Sequence, residues 1–330
     1  MTENEEWEFP AAAQPNDEDV DFALDEVLSS VLSLRSKIPD DAFTASILGT
    51  ERGGNGVVIG DDGLVLTIGY LITEAETVWL VSGGGKATPA HVVGYDQTTG
   101  LGLVQALGRL DVSAIALGVS RATRVGDPVI VAGSGGRRHA LSARIVAKRE
   151  FAGYWEYVLD EAIFTEPAHP LWGGAALIGA DGKLQGIGSL LVQSAHDDDT
   201  SAEINMFVPI DLLAPILDDL LKFGKVDQPP RPWLGMLTME ADDNLVVAGL
   251  TEGAPANRAG LQLGDVVVKV AEAPVVDLVD MFRRIWALGP AGTVIPLTIN
   301  RSGAERTVDV HSADRNAFLK PPDPHYTKGQ

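Results

Sequence analysis

The 330-residue chain contains no cysteine, which excludes disulfide staples, thiolate metal sites and a cysteine nucleophile. No Lys or Arg occurs before Arg35, whereas the first 26 residues carry ten carboxylates. A secretory leader needs a basic start followed by an apolar run, so this segment sets a cytoplasmic location as the expectation. No stretch approaches the ~18 consecutive apolar residues of a membrane-spanning helix. A Gly-rich phosphate loop ending in Lys-Ser or Lys-Thr is also missing. Aromatic residues reach only 6%.

What is present points to a β-rich protein. Hydrophobic residues make up 45% of the chain, enough for real cores, and 36 Gly with 19 Pro imply many turns. Acidic residues outnumber basic ones 46 to 25, for a formal net charge of −21. A phosphate backbone or anionic bilayer would be repelled at long range, so neither nucleic acid nor a membrane surface is an expected partner.

The pattern divides the chain into five stretches. Residues 1–40 form an acidic N-terminal tail, with disorder expected over 1–19 and a short amphipathic helix over Asp21–Leu34, where Leu24, Val27, Leu28 and Val31 follow helical spacing. Over 41–223, short apolar runs alternate with Gly, Asp-Gly or Pro every 8–12 residues, the signature of a β-barrel or sandwich. A helix is expected at Pro209–Lys222, broken at Pro215. Residues 224–232 read as a Pro-rich linker, 233–312 as a second domain, and 313–330 as a tail.

The second domain carries Gly253-Ala-Pro-Ala-Asn-Arg-Ala-Gly-Leu-Gln-Leu-Gly-Asp265 and, ahead of it, Arg231-Pro-Trp-Leu-Gly-Met236. These segments resemble the turn-helix-turn and the carboxylate-binding loop of a bacterial PDZ domain. The resemblance implies main-chain capture of a peptide C-terminus by amides around Trp233, Leu234, Gly235 and Met236, with the peptide added as a strand to a sheet edge. The helix Asp277–Leu288 would wall the groove, with Phe282, Ile285 and Trp286 as its lining or as core filling. Protein C-termini or extended peptides are the partners expected.

Given a PDZ domain, the preceding stretch resembles the trypsin-like double β-barrel of HtrA/Deg serine proteases. Gly54-Asn-Gly-Val-Val-Ile59, Asp62-Gly-Leu-Val-Leu-Thr67, Ala90-His-Val-Val-Gly-Tyr-Asp96 and Ala116-Leu-Gly-Val-Ser120 follow the family's order and spacing. The expected fold is therefore mainly β: a trypsin-like double barrel followed by an α+β PDZ domain. Family members commonly form trimers, so homo-oligomerisation is implied, with Trp7 and Phe9 as possible aromatic contacts.

At the catalytic positions the chain departs from that family. Tyr70 stands where the histidine belongs, Gly100 at the aspartate, and Trp172 at the serine within Pro170-Leu-Trp-Gly-Gly-Ala175. The triad works only if a base takes the serine proton and a carboxylate fixes the base. A phenol of pKa ~10 is a poor base, glycine orients nothing, and indole is no nucleophile. Pro170 and Leu171 also alter the loop whose amides would form an oxyanion hole.

The expectation is thus an HtrA-like homologue without proteolytic activity, acting as a peptide-binding scaffold or adaptor, with no metal and no cofactor. Two alternatives stay open. One is an active endopeptidase with a relocated site, built from Ser134, His139 and Asp127; His91 only imitates the catalytic histidine within a strand. The other is a chaperone-like or structural subunit that uses the barrel. His196 with Asp197, Asp198 and Asp199 reads as a solvated acidic loop rather than a cation site.

Overall fold

The computed structural model of the chain describes residues 7–195 and 201–320. It divides into two compact units: Met1–Arg149, Glu161–Val226 and Lys320–Gln330 in the first, Glu150–Asp160 and Asp227–Leu319 in the second.

Two closed six-stranded antiparallel barrels make up the first unit. The first barrel comprises β1 (Val31–Lys37), β2 (Glu51–Val58), β3 (Leu64–Ile68), β4 (Thr77–Val81), β5 (Ala87–Tyr95) and β6 (Leu101–Ala106), in the order β1-β2-β3-β6-β5-β4. The second comprises β7 (Pro128–Ala132), β8 (Ala140–Gly153), β9 (Tyr157–Glu166), β10 (Ala176–Ile178), β11 (Leu184–Ala195) and β12 (Ser201–Pro209). Closure leaves no open sheet edge, so every strand's backbone finds a partner without a covering layer. In the first barrel all five residues of β3 are buried, as are Leu32 and Leu34 of β1.

The N-terminal stretch differs from its sequence expectation. The helix expected over 21–34 is α1 (Leu24–Ser29), and Val31 already belongs to β1, paired with Val57. Leu32, Leu34 and Ser36 are buried while Arg35 and Lys37 face solvent, a period of two that the overlapping helical spacing of Leu24–Val31 masked. Of the residues expected to be disordered, 7–19 are placed: the Phe9 amide donates a hydrogen bond to the Arg138 carbonyl, and Arg137 pairs with Asp17 as well as with Asp25 of α1. The helix expected over 209–222 is a turn at Ile210–Leu212 followed by α2 (Leu217–Phe223), interrupted around Pro215 as the missing N–H requires.

The second unit is a six-stranded sheet of β13 (Met236–Ala241), β14 (Asn244–Leu250), β15 (Val266–Val270), β16 (Ala273–Pro274), β17 (Val294–Arg301) and β18 (Ala304–His311). Helix α3 (Leu278–Ala287) starts at Asp277, whose carboxylate caps the Asp280 amide. Met281, Phe282 and Ile285 of α3 are fully buried in a core with Leu234, Met236 and Val247. Phe282 and Ile285 therefore take the core-filling role. Trp286 is only partly buried and stacks on Phe282, with the Arg231 guanidinium 4.2 Å from its ring centre. The tail expected from 313 is structured where described: Ala313 bridges Trp233 and a helical turn spans Arg315–Phe318.

The structure also divides the chain differently from the sequence boundaries. Residues 150–160, which comprise the end of β8, the turn after it and the start of β9, are part of the second unit, whereas the sequence boundaries place them in the barrel domain.

Candidate functional site

In the first unit the chain leaves β3 at Ile68 into a helical turn, Gly69–Leu71, that carries Tyr70. The Gly69 amide is pinned to the Gly100 carbonyl at 2.7 Å, which brings the start of β6 beside the turn. Position 100 has no side chain to orient anything, so the three residues gather without an acid. The Tyr70 hydroxyl donates to the Ser189 carbonyl at 3.0 Å and interacts with the Trp172 side chain. Burial pushes this phenol well above its ordinary value, making it a still poorer base.

Gly173 also lies at the Tyr70 hydroxyl, beside the Trp172 side chain that meets it. A Cβ built on Gly173 would lie 2.8 Å from Tyr70 Oη, and Trp172 is its half-buried neighbour in the same loop. Neither residue carries a hydroxyl. The surrounding amides are committed as well: Leu171 N donates to His169 Nδ1, Gly174 N to the Gly188 carbonyl and Ala175 N to the Trp172 carbonyl. The Gly173 carbonyl accepts from the Asn55 amide at 2.8 Å and from its side chain at 3.1 Å.

The relocated arrangement does not assemble. Ser134 and His139 meet, but through the Ser134 carbonyl, 2.5 Å from His139 Nδ1, and Nε2 faces the Trp7 carbonyl at 2.5 Å. Asp127 accepts from the Arg124 amide within its own turn. His91 sits within β5 opposite Gln105. Among the described residues no three His, Asp or Glu side chains gather as a metal centre, and His196–Asp199 lie outside them.

Sequence reasoning missed His169. Fully buried, it accepts from Leu171 N at Nδ1 and faces the His139 carbonyl with Nε2 at 3.0 Å, which fixes one neutral tautomer. Burial pushes its pKa down to about 4. Trp7 stacks on His139, and Phe9 meets His169 edge-on at 5.0 Å. Its only sequence signal was a histidine between two prolines at the head of the degenerate loop.

The second unit brings the predicted loop together. Trp233 is buried and bridged to Ala313, and Gly235 adopts φ +72, where a Cβ would meet that of Ala254 at 2.3 Å. Only glycine allows this turn. It aims the Leu234, Gly235 and Met236 amides at one carboxylate, that of Glu156, at 3.0, 2.8 and 3.3 Å. Burial pushes the Glu156 carboxyl up to about 7, against the pull of these amides and of the Arg315 charge.

Comparison with known proteins fits both units. A trypsin-like peptidase domain matches residues 54–187 and a PDZ domain matches residues 232–311. A probable periplasmic serine endoprotease DegP-like of Pseudomonas fulva is 30% identical over 78% of this chain. The chain belongs to the HtrA-type family of trypsin-like protease homologues with a PDZ domain. Serine protease PepD of Mycobacterium tuberculosis is 30% identical over 83% of the chain, and serine endoprotease DegS of Escherichia coli 24% over 78%. This HtrA-type chain spans about half the DegP-like relative (55%), 63% of PepD and 75% of DegS. The fold is also that of the HtrA-type protease AlgW solved with a tripeptide, with TM-score 0.53 at 22% identity over 94% of this chain and 99% of that one.

Proposed function

We propose that this HtrA-type chain is proteolytically silent and acts by capturing peptides through its PDZ carboxylate loop. One observation carries the reading: three consecutive amides, Leu234 to Met236, converge on a single carboxylate. Such a nest binds an anion with fixed dipoles and needs no basic side chain. The protease-like centre supports the silent half of the proposal. Tyr70, Gly100 and Trp172 supply neither base, orienting acid nor nucleophile, and the Leu171 amide is spent on His169.

Relatives named serine endoproteases make the opposite outcome a fair test. Purified full chain incubated with casein and a fluorophosphonate probe is expected to give neither cleavage nor labelling. Labelling that disappears in Ser134→Ala would restore the relocated enzyme. For the binding half, a fluorescein-labelled hexapeptide ending in Tyr-Trp-Val is compared as free acid and as carboxamide. The free acid is expected to bind at least tenfold more tightly, because a carboxamide replaces one acceptor oxygen with an NH2 donor that faces the loop's own donor amides. Equal affinities would remove the carboxylate loop from the function.

A further inference from the structure

The Glu156 carboxylate is one of four contacts by which residues 150–160 imitate a bound peptide. The first is the carboxylate itself, placed on the Leu234–Met236 amides. The second is a main-chain bond: Thr238 N donates to the Tyr154 carbonyl at 3.0 Å. Stepping from Tyr154 to Glu156 covers two residues, as does stepping back from Thr238 to Met236, the register of a short strand running antiparallel to β13. Third, Val158 is buried in the apolar core that contains Leu234, Met236 and Ile285. Fourth, Arg283 of α3 pairs with both Glu150 and Asp160, the two ends of the segment.

Local geometry fits the same purpose. Glu156 sits at φ +64, a left-handed backbone that glutamate rarely adopts. The turn thereby presents an internal side-chain carboxylate where a chain terminus would end. Trp155 and Tyr157 stack with centroids 5.6 Å apart and rings 18° from parallel, bracing the residues on either side of Glu156.

We propose that residues 150–160 are the resident ligand of this PDZ groove, so that the groove is self-occupied and external peptides with a free C-terminal carboxylate bind by displacing Glu156. The inference rests on the reading of the PDZ loop as a carboxylate site and adds its regulation. The groove selects for what the segment supplies: an extended peptide with a terminal carboxylate and an apolar side chain near it. A polybasic or purely internal sequence without a carboxylate lacks the group that competes with Glu156.

The test uses the full chain as wild type, Glu156→Ala and Glu156→Gln, with folding checked by circular dichroism. Amide hydrogen exchange at Leu234, Gly235, Met236 and Thr238 reports occupancy without any added ligand. These amides are expected to be protected in the wild type and to exchange at least tenfold faster in Glu156→Ala; unchanged protection overturns the proposal. The hexapeptide ending in Tyr-Trp-Val, as free acid, is expected to bind Glu156→Ala at least tenfold more tightly than the wild type, with Glu156→Gln between them. Equal binding by wild type and Glu156→Ala overturns self-occupation while leaving carboxylate capture intact. Deprotected amides in Glu156→Ala with no preference for free acid over carboxamide would uphold self-occupation and sink the carboxylate-capture reading instead.

Discussion

His169 and Glu156 are both buried and both have proton equilibria displaced by desolvation, but their effects on stability run in opposite directions. His169 is held neutral, with its pKa lowered from 6.5 to about 4. Between those values the unfolded chain binds more protons than the folded one, so stability is full above about 6.5 and falls as pH drops toward 4. A displacement of that size corresponds to about 3 kcal/mol. Glu156 is raised from 4.5 to about 7, so its docked form binds the extra proton. Its contribution is full below 4.5 and is lost as pH rises through 7, again by about 3 kcal/mol. The two residues lie in different units, so urea unfolding of the first unit should weaken from pH 6.5 to 4, and less so in His169→Gln. Exchange at the Leu234–Met236 amides should speed up from pH 5 to 8 beyond its intrinsic base catalysis. A first unit equally stable at pH 6.5 and 4.5 would remove the His169 assignment. Glu74 does not confuse the reading: its carboxyl, buried but accepting from Phe43, Thr44 and Lys320, is held below its ordinary value and titrates at lower pH.

At the scale of elements, the loop from His169 to Ala175 is tightly held against β2. Gly174 has φ +74, and a Cβ there would lie 1.9 Å from the Asn55 carbonyl, which is backbone and cannot step aside. Gly174→Ala should therefore cost about 2–4 kcal/mol, from left-handed strain plus overpacking, measured as a shift in the urea midpoint. A cost below 1 kcal/mol would mean that the loop is not clamped on β2. The structural demand on this loop is backbone geometry, which does not depend on what stands at position 172. Tyr70 and Gly100 could be located because short strands with Asp-Gly turns fix the ladder around them. Trp172 lies in the loop that also holds Gly173 and Gly174, and its side chain meets the Tyr70 hydroxyl. His169 was invisible because its role comes from accepting the Leu171 amide, a tertiary bond with no periodic trace. In β1 a helical and an alternating pattern overlap on Val31–Leu34, and barrel closure decides between them.

At the scale of the molecule, the second unit is discontinuous in sequence, and that property was out of reach of a linear reading. A Pro-rich seam marks where the chain passes from one domain to the next, but says nothing about a hairpin tip that joins a sheet 80 residues later. Cutting at the seam therefore isolates an incomplete unit. The fragment 227–319 lacks Val158, whose burial contributes on the order of 1.5–2 kcal/mol, and lacks the carboxylate for Leu234–Met236. For a domain of this size each kcal/mol moves the midpoint by roughly 4–8 °C. The fragment should melt roughly 8 °C or more below the corresponding transition of the full chain. A synthetic peptide copying residues 150–160, added at about 100 times its Kd, should raise that midpoint by mass action, worth about 2.7 kcal/mol. The same peptide with Gln at the Glu156 position should raise it less. Calorimetry of the fragment with and without each peptide separates the explanations. If the fragment melts where the full chain does and neither peptide shifts it, residues 150–160 are only a neighbour of the groove. A rescue that depends on the carboxylate makes them its ligand.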